Sequence, residues 1–194
     1  MAFGLKPVRY KDGAPYNGAA NVYYVPASDS TALFVGDPVI IAGSGDAEGV
    51  PSITRAAAGD RITGVVVGFA PLPTGAAGST SAVNRGYRAA SEADYVLVAD
   101  DTDLLFEATE DAVGGAMAVA DIGLNVDLVA AAGSAVTKQS GYALDSSTKA
   151  TTSAQVRVNG VSRRVNNTIG SAATVWLVSI IESTETPAAG TTGV

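Results

Sequence analysis

The stretch YVLVADDTDLLFEATE, residues 95–110, contains two apolar runs separated by a cluster of turn-forming residues. The first run covers residues 95–98 and the second covers residues 104–106. Two such runs joined by Asp and Thr predict a β-hairpin. Because both runs are continuous rather than alternating, we expect strands that are buried on both faces. The sequence therefore predicts the central hairpin of a β-domain.

The turn between the two runs carries three carboxylates, on Asp100, Asp101 and Asp103. Oxygen ligands of this kind suit hard cations, but a calcium loop of the EF-hand type also needs alternating ligands, a central Gly, a distant Glu and flanking helices. That context is missing here. Asp and Thr also stabilise tight turns through local hydrogen bonds to the backbone. We therefore favour an acidic turn over a metal site, and predict no metal and no cofactor.

The remaining composition predicts an all-β protein. Hydrophobic residues make up 47% of the 194 residues, enough for a core, while 22 glycines imply frequent turns. Further strands are expected at residues 39–42, 62–69, 123–129, 141–145, 155–158 and 174–181. Gly64 and Gly68 inside the second of these predict a bulge or a close neighbouring backbone. We expect a single barrel or sandwich, jelly-roll-like, with at most one short helix, at residues 111–121.

The sequence contains no Cys and no His. Thiolate or imidazole metal sites, disulfides and Ser-His-Asp catalysis are therefore excluded. Carboxylates, Lys and Tyr remain as reactive groups, so an enzyme is disfavoured and not excluded.

The net charge of −7 argues against nucleic acid and anionic membranes as partners. No run of 18 apolar residues is present, and the N-terminal residues do not resemble a secretory signal. We expect a protein that is made and kept in the cytosol, or released by lysis.

The charges are unevenly distributed along the chain. Ten of the nineteen acidic residues fall within residues 92–127, whereas basic residues gather near both ends, as Lys6, Arg9 and Lys11 and as Arg157, Arg163 and Arg164. One interpretation is a solvated acidic face, which we favour. The other is a contact between complementary subunits.

The chain divides by composition into an extended N-terminal arm (residues 1–31), a β-domain (32–181) and a flexible C-terminal tail (182–194), with an exposed loop at residues 71–81. The arm is rich in Pro and Gly but also in aromatic residues, which a disordered linker normally lacks. It is expected to bind either a partner or its own domain. The candidate partner-binding residues are Phe3, Tyr10, Tyr16, Tyr23 and Tyr24.

Several segments along the chain form a recognisable set. They are FVGDPV at residues 34–39, RITGVVVGF at 61–69, YVLVADD at 95–101 with LFE at 105–107, EDAVGG at 110–115 and DIGLN at 121–125. Together these segments resemble the cement, or head-decoration, proteins of tailed bacteriophages. The likeness extends over nearly the whole chain, but its motifs are structural and it transfers no active-site residue.

The resemblance implies a β-rich, non-enzymatic structural protein of the virion, located on the outer surface of the capsid. Its expected partners are the major capsid protein, whose neighbouring subunits it would cement, and further copies of itself in a dimer or trimer. The alternative is a carbohydrate- or surface-binding β-module of a phage tail or fibre, and an enzyme is the third possibility.

Overall fold

The computed structural model describes residues 2–70 and 86–184. The predicted loop at 71–81 and most of the predicted tail therefore lie outside the described residues. The all-β prediction is confirmed, because the described residues form fourteen strands and a single three-residue 3₁₀ helix, η1 (Val119–Asp121). The strands are β1 (Lys6–Tyr10), β2 (Asn21–Val25), β3 (Leu33–Phe34), β4 (Pro38–Gly45), β5 (Pro51–Arg55), β6 (Gly64–Ala70), β7 (Tyr87–Arg88), β8 (Asp94–Ala99), β9 (Leu104–Thr109), β10 (Asn125–Val126), β11 (Leu128–Val129), β12 (Ala143–Leu144), β13 (Val156–Val161) and β14 (Val175–Ile180).

Five strands close into a barrel in the order β2-β5-β4-β6-β8. All neighbours are antiparallel except β2 and β5, which are parallel. Closure removes the free edges that an open sheet exposes. The barrel interior is a small apolar cluster that includes Val39, Ile53, Val66, Val96 and Val98, each fully buried.

A second, antiparallel sheet has the order β1-β9-β14-β13-β10. Its inner face contributes Phe106, Trp176 and Val178 to the larger core cluster, which also contains Val65 from the barrel strand β6. Since Val65 and its neighbour Val66 point to opposite sides of β6, this strand serves both cores. Two short pairs, β3–β7 and β11–β12, complete the architecture.

The predicted central hairpin is wrong, although both of its strands exist. β8 pairs with β2 and β6, whereas β9 pairs with β1 and β14, so consecutive strands belong to different sheets. Each strand has both edges occupied by other partners, which leaves no edge for a hairpin. The turn at residues 100–103 therefore carries the chain from the barrel to the second sheet. All six residues of β9 are buried, as its continuous apolar run predicts.

The separation of residues 1–31 as an arm needs correction. Within this segment β1 pairs with β9, and β2 is a strand of the barrel that lies between β8 and β5. Leu5 is 1% exposed in the larger core and Val25 is fully buried in the barrel. The segment is extended because it is β-strand, and it packs along its own domain.

The expected helix at residues 111–121 is reduced to η1. Ala112 and Gly115 have φ angles of +57° and +87°, which no α-helix contains. The backbone N–H of Met117 donates to Glu110 Oε2 over 2.7 Å instead of to a helical carbonyl. Side-chain acceptors and left-handed turns thus replace the helical hydrogen bonds that the Ala-rich composition favoured.

The two glycines of β6 have the roles that their position predicts. A Cβ atom on Gly64 would lie 2.6 Å from the carbonyl oxygen of Ala99, so the backbones of β6 and β8 can approach only with glycine there. The register of β6 against β8 shifts between Val66 and Gly68, which marks a bulge. No helix of the described residues has the length and apolar character needed to cross a membrane.

Candidate functional site

Two adjoining depressions lie where β1 meets the rest of the second sheet. The first, here called the aromatic groove, has a volume of about 490 Å³. It is lined by Phe3, Leu5, Lys6, Pro7, Tyr16, Val35, Gly36, Val66, Val67, Gln139 and Arg164. The groove thus combines aromatic and aliphatic surface with two basic side chains.

Backbone contacts fix the position of Phe3 in this groove. Gly36 has a φ angle of +95°, and a Cβ atom there would lie 2.4 Å from the carbonyl oxygen of Phe3. The backbone N–H of Leu5 donates to Gly36 O over 2.9 Å, and that of Gly4 donates to Tyr142 O over 3.2 Å. Only glycine at position 36 permits this close approach, so the path of residues 3–5 is set by the domain beneath them.

The second depression, here called the cationic cleft, has a volume of about 620 Å³ on the outer face of the second sheet. Lys6, Glu107, Leu177 and Gly160 lie opposite one another on the adjacent strands β1, β9, β14 and β13. Three inter-strand spacings make this row about 14 Å long. The residues that line the cleft are Val8, Arg9, Glu107, Asn159, Gly160, Val161, Ser162, Arg163, Arg164 and Leu177.

Arg164 belongs to both depressions. Its guanidinium carbon lies 5.2 Å from the centroid of the Phe3 ring, within the range of a cation–π contact. Its Nη2 atom donates a hydrogen bond to Glu107 Oε2. Arg164 therefore joins the aromatic wall of the groove to the acidic floor of the cleft.

Among the described residues Glu107 is the only carboxylate that lines the cleft, and its exposure is 8%. Burial acts to raise its pKa, but hydrogen bonds from Arg164 and Ser162 and the charges of Arg164 and Lys6 outweigh burial, so the pKa lies below its usual range. The carboxylate is therefore ionised at neutral pH. It orients Arg164 and neutralises one of the surrounding positive charges.

The loop that carries Arg163 and Arg164 is held at its base by Asn167. The side-chain amide of Asn167 donates to the carbonyls of Ser162 and Val175 over 2.7 and 2.8 Å, and its oxygen accepts the N–H of Val175 over 2.8 Å. At the tip, Val165 is 90% exposed. The loop is thus a fixed projection that presents arginines and an uncovered apolar side chain beside the cleft.

The positive charge of this region is largely unpaired. Lys6, Arg9 and Arg163 make no ion pair in the part of the chain that the structure describes. Together with Arg164 they place four cations around a single carboxylate, on a protein whose net charge is −7. The two depressions therefore carry a local excess of positive charge on an acidic protein.

The structure brings together only part of each basic cluster of the sequence. Lys11 instead donates to the carbonyl of Thr102 over 2.7 Å and pairs with Asp103. Arg157 donates to the side chain of Asn125 over 3.2 Å. Neither residue lines the cationic cleft or the aromatic groove.

The five aromatic residues predicted to bind a partner do not form one surface. Phe3 and Tyr16 line the aromatic groove, and Tyr10 packs against the larger core with Tyr16. Tyr23 and Tyr24 lie on the barrel strand β2.

Both β2 tyrosines are engaged within the domain. The hydroxyl of Tyr23 donates to Asp100 Oδ2 over 2.7 Å. The ring of Tyr24 lies 5.4 Å from that of Tyr95. Of the predicted set, Phe3 and Tyr16 are therefore the two that face a candidate binding surface.

The carboxylates of the acidic turn point to separate partners. Asp100 accepts hydrogen bonds from the side chains of Asn21 and Tyr23, and Asp101 Oδ1 accepts the N–H of Asp103 over 2.8 Å. Asp103 pairs with Lys11. Among the described residues no cluster of three or more potential ligands is arranged to hold a metal ion.

The acidic stretch 92–127 does not form a single solvated face. Asp94, Glu107 and Glu110 are buried, at 9%, 8% and 2% exposure. Asp121 pairs with Lys149 over 3.1 Å. The acidic residues are thus distributed between the interior, internal ion pairs and the surface.

Sequence reasoning found the basic residues but missed the cleft they form. Its members lie on strands far apart in the chain, so only strand pairing brings Arg9 and Arg163 to one surface. The only sequence signal was the pair of basic clusters near the two ends. No protein-family model, curated protein or solved structure matches this chain.

Proposed function

We propose that this protein is a structural component of a phage virion that binds the outer surface of the assembled capsid and cements neighbouring major capsid subunits. The observation that carries the proposal is the paired surface of aromatic groove and cationic cleft. The resemblance of the sequence to cement proteins names the partner, and the paired surface provides a means of binding it.

The composition of this surface is that of a protein-binding site. Aromatic residues and arginine are enriched at protein interfaces and supply most of the strongly contributing contacts. Phe3, Tyr16, Arg163 and Arg164 bring these residue types together. All four lie in segments that flank strands. Backbone hydrogen bonds hold the segments around Phe3 and Tyr16, and the Asn167 side chain holds the loop with the two arginines, so little ordering entropy is lost when a partner binds.

The segments that carry the resemblance contribute to the framework of the domain. Residues 34–39 include the turn into β4, and residues 61–69 include most of β6. Residues 95–101 lead through β8 to the turn that enters β9. A shared framework with a variable surface is what we expect of proteins that bind different capsids, since loops and exposed faces vary more readily than cores.

A non-enzymatic role is part of the same proposal. The sequence has neither His nor Cys, which are the usual general base and a common nucleophile. Glu107 and Arg164, the charged pair at the centre of the surface, are bonded to each other. An ion pair of this kind suits the orientation of a binding arginine better than proton transfer.

A carbohydrate- or surface-binding module of a tail or fibre is the second candidate. The observation in its favour is that Phe3 and Tyr16 line one groove of a folded domain. Aromatic side chains held in that way can stack on sugar rings. Against it, the adjoining cleft carries three arginines and one carboxylate, and this net positive charge suits an anionic partner better than a neutral sugar.

Binding to empty, expanded capsids that lack the protein tests the proposal. Co-sedimentation should give saturable binding at a fixed ratio to the capsid subunit, and weaker binding to the unassembled subunit, since a cementing site spans two or more subunits. Equal affinity for the free subunit would contradict cementing. Binding to a glycan array in place of capsids would favour the second candidate.

A further inference from the structure

We propose that the cationic cleft binds an acidic, extended segment of a partner polypeptide, with carboxylates on Arg9, Arg163 and Arg164 and an apolar side chain in the aromatic groove. This inference rests on the proposed function for the identity of the partner, which is the capsid subunit.

The positive charge of the site favours a negatively charged ligand. Four cations (Lys6, Arg9, Arg163 and Arg164) and one carboxylate (Glu107) line the groove and the cleft, which leaves three positive charges uncompensated on a protein of net charge −7. Glu107 occupies only part of the Arg164 guanidinium, which has five N–H donors in a planar fork. Arg9 and Arg163 have no carboxylate partner among the described residues. Arginine binds carboxylates through two parallel hydrogen bonds, so side-chain carboxylates fit these positions.

The dimensions of the site favour a chain over a small anion. The cross-strand row from Lys6 to Gly160 is about 14 Å long. At about 3.3 Å per residue, an extended segment of roughly four or five residues covers it. A single small anion could contact only one end of this open cleft.

The apolar parts of the site favour a polypeptide over nucleic acid. Leu177 lies within the cleft, and Phe3 and Tyr16 line the groove that Arg164 shares with it. Side chains alternate along an extended peptide, so carboxylates and apolar groups can face these two parts in turn. The net charge of −7 repels a nucleic acid, which carries a charge on every nucleotide, more strongly than a short peptide in which only alternate residues are charged.

Gly160 supplies a way to close the cleft without disturbing the protein. A Cβ atom added there meets nothing within 4 Å, and its φ angle lies outside the positive range. In the cross-strand row, Gly160 lies beside Leu177. A larger side chain at position 160 therefore projects into the volume that the ligand would occupy.

The test uses a labelled eight-residue peptide that alternates Glu and Phe, and a matched peptide with Lys in place of Glu. Addition of the acidic peptide to the full ¹⁵N-labelled protein should shift the amide signals of Gly160 and Leu177 and the Nε signals of the cleft arginines. Affinity should fall as salt is raised. Arg163→Glu and Gly160→Leu should each weaken binding by about tenfold or more, the loss expected when a charge-assisted contact is removed or the site is filled. Lys11→Glu changes the charge equally but lies outside the cleft, and should have a much smaller effect.

The proposal is overturned if millimolar acidic peptide shifts no cleft signal, if the Lys peptide binds equally well, or if single-stranded DNA displaces the peptide and binds more tightly. The same variants are then tested on empty capsids. If Arg163→Glu and Gly160→Leu bind capsids as tightly as the wild type does, the cleft is not the binding site, and the cementing role stands. Peptide binding without capsid binding would refute the cementing role and leave the cleft site standing.

Discussion

Replacement of Asp37 by Asn should remove a pH-dependent loss of stability from this protein. Asp37 is fully buried at the start of β4, where its Oδ2 atom accepts the backbone N–H of Phe34 over 2.9 Å. Its Oδ1 atom has no hydrogen-bond partner among the described residues. Burial raises the pKa of this carboxyl from 3.8 to about 6, although the nearby Ser140 hydroxyl, the Phe34 N–H and the charge of Arg55 favour the ionised form.

The direction of the effect follows from proton linkage. Because the folded protein holds the Asp37 proton more tightly than the unfolded chain does, the stabilisation is complete below the unfolded pKa of 3.8. It is lost as the pH rises through about 6. A difference of about two pKa units corresponds to roughly 3 kcal/mol of unfolding free energy. Asn keeps a carbonyl oxygen for the Phe34 N–H and cannot ionise.

Urea denaturation at intervals from pH 4 to pH 8 measures this contribution. Other carboxylates, such as Glu107 with its lowered pKa, change stability in the opposite direction, so the informative quantity is the difference between variant and wild type. The unfolding free energy of Asp37→Asn relative to wild type should rise by up to about 3 kcal/mol across this range. Asp12→Asn, at an exposed aspartate, is the matched control. Parallel pH profiles for Asp37→Asn and wild type would refute the reasoning.

Three further predictions concern the fold. Deletion of residues 1–10 should abolish the native circular dichroism spectrum, because β1 pairs with β9 and Leu5 is buried; a folded truncation would restore the interpretation of this segment as an arm. Gly64→Ala should lower the unfolding free energy by about 1–3 kcal/mol, since the added Cβ would lie 2.6 Å from Ala99 O. Gly160→Ala is the control, because a Cβ there meets nothing within 4 Å and should change the unfolding free energy little. Equal losses for the two variants in urea denaturation would contradict this prediction. Millimolar calcium should leave the melting temperature unchanged, whereas a site at a hundred times its dissociation constant adds about 2.7 kcal/mol. A rise abolished by Asp101→Asn would reveal a metal site.

The fold class could be predicted because several of the longer strands carry their own local signal. β8, β9 and β14 coincide with continuous runs of apolar residues, and the glycines of β6 fall where a bulge and a close backbone contact occur. These features depend on a few neighbouring residues. The pairing of strands depends on the whole chain, and a local pattern does not show which other strand a given strand will pair with.

The same limit explains why the helix at residues 111–121 and the arm at residues 1–31 were expected. Residues 111–121 have a helical composition. The Glu110 carboxylate nevertheless accepts the backbone N–H of Met117, and the positive φ angles of Ala112 and Gly115 are incompatible with an α-helix. The proline and glycine of residues 1–31 suggested an arm, yet β1 and β2 form within this segment and Pro7 lies inside β1. In both cases contacts from distant residues outweighed a weak local preference.

The absence of pairing between β8 and β9 also explains how the candidate site forms. If β8 and β9 had paired, β9 would have lost one of the two edges that it offers to β1 and β14. Because the turn at residues 100–103 carries the chain to the second sheet instead, Glu107 of β9 lies between Lys6 and Leu177. That placement lets the loop after β13 fold over Glu107 and bring Arg164 to it. The cationic cleft therefore depends on the passage of the chain from the barrel to the second sheet. Its charges form one surface only because β1 and β14 pair with the two edges of β9.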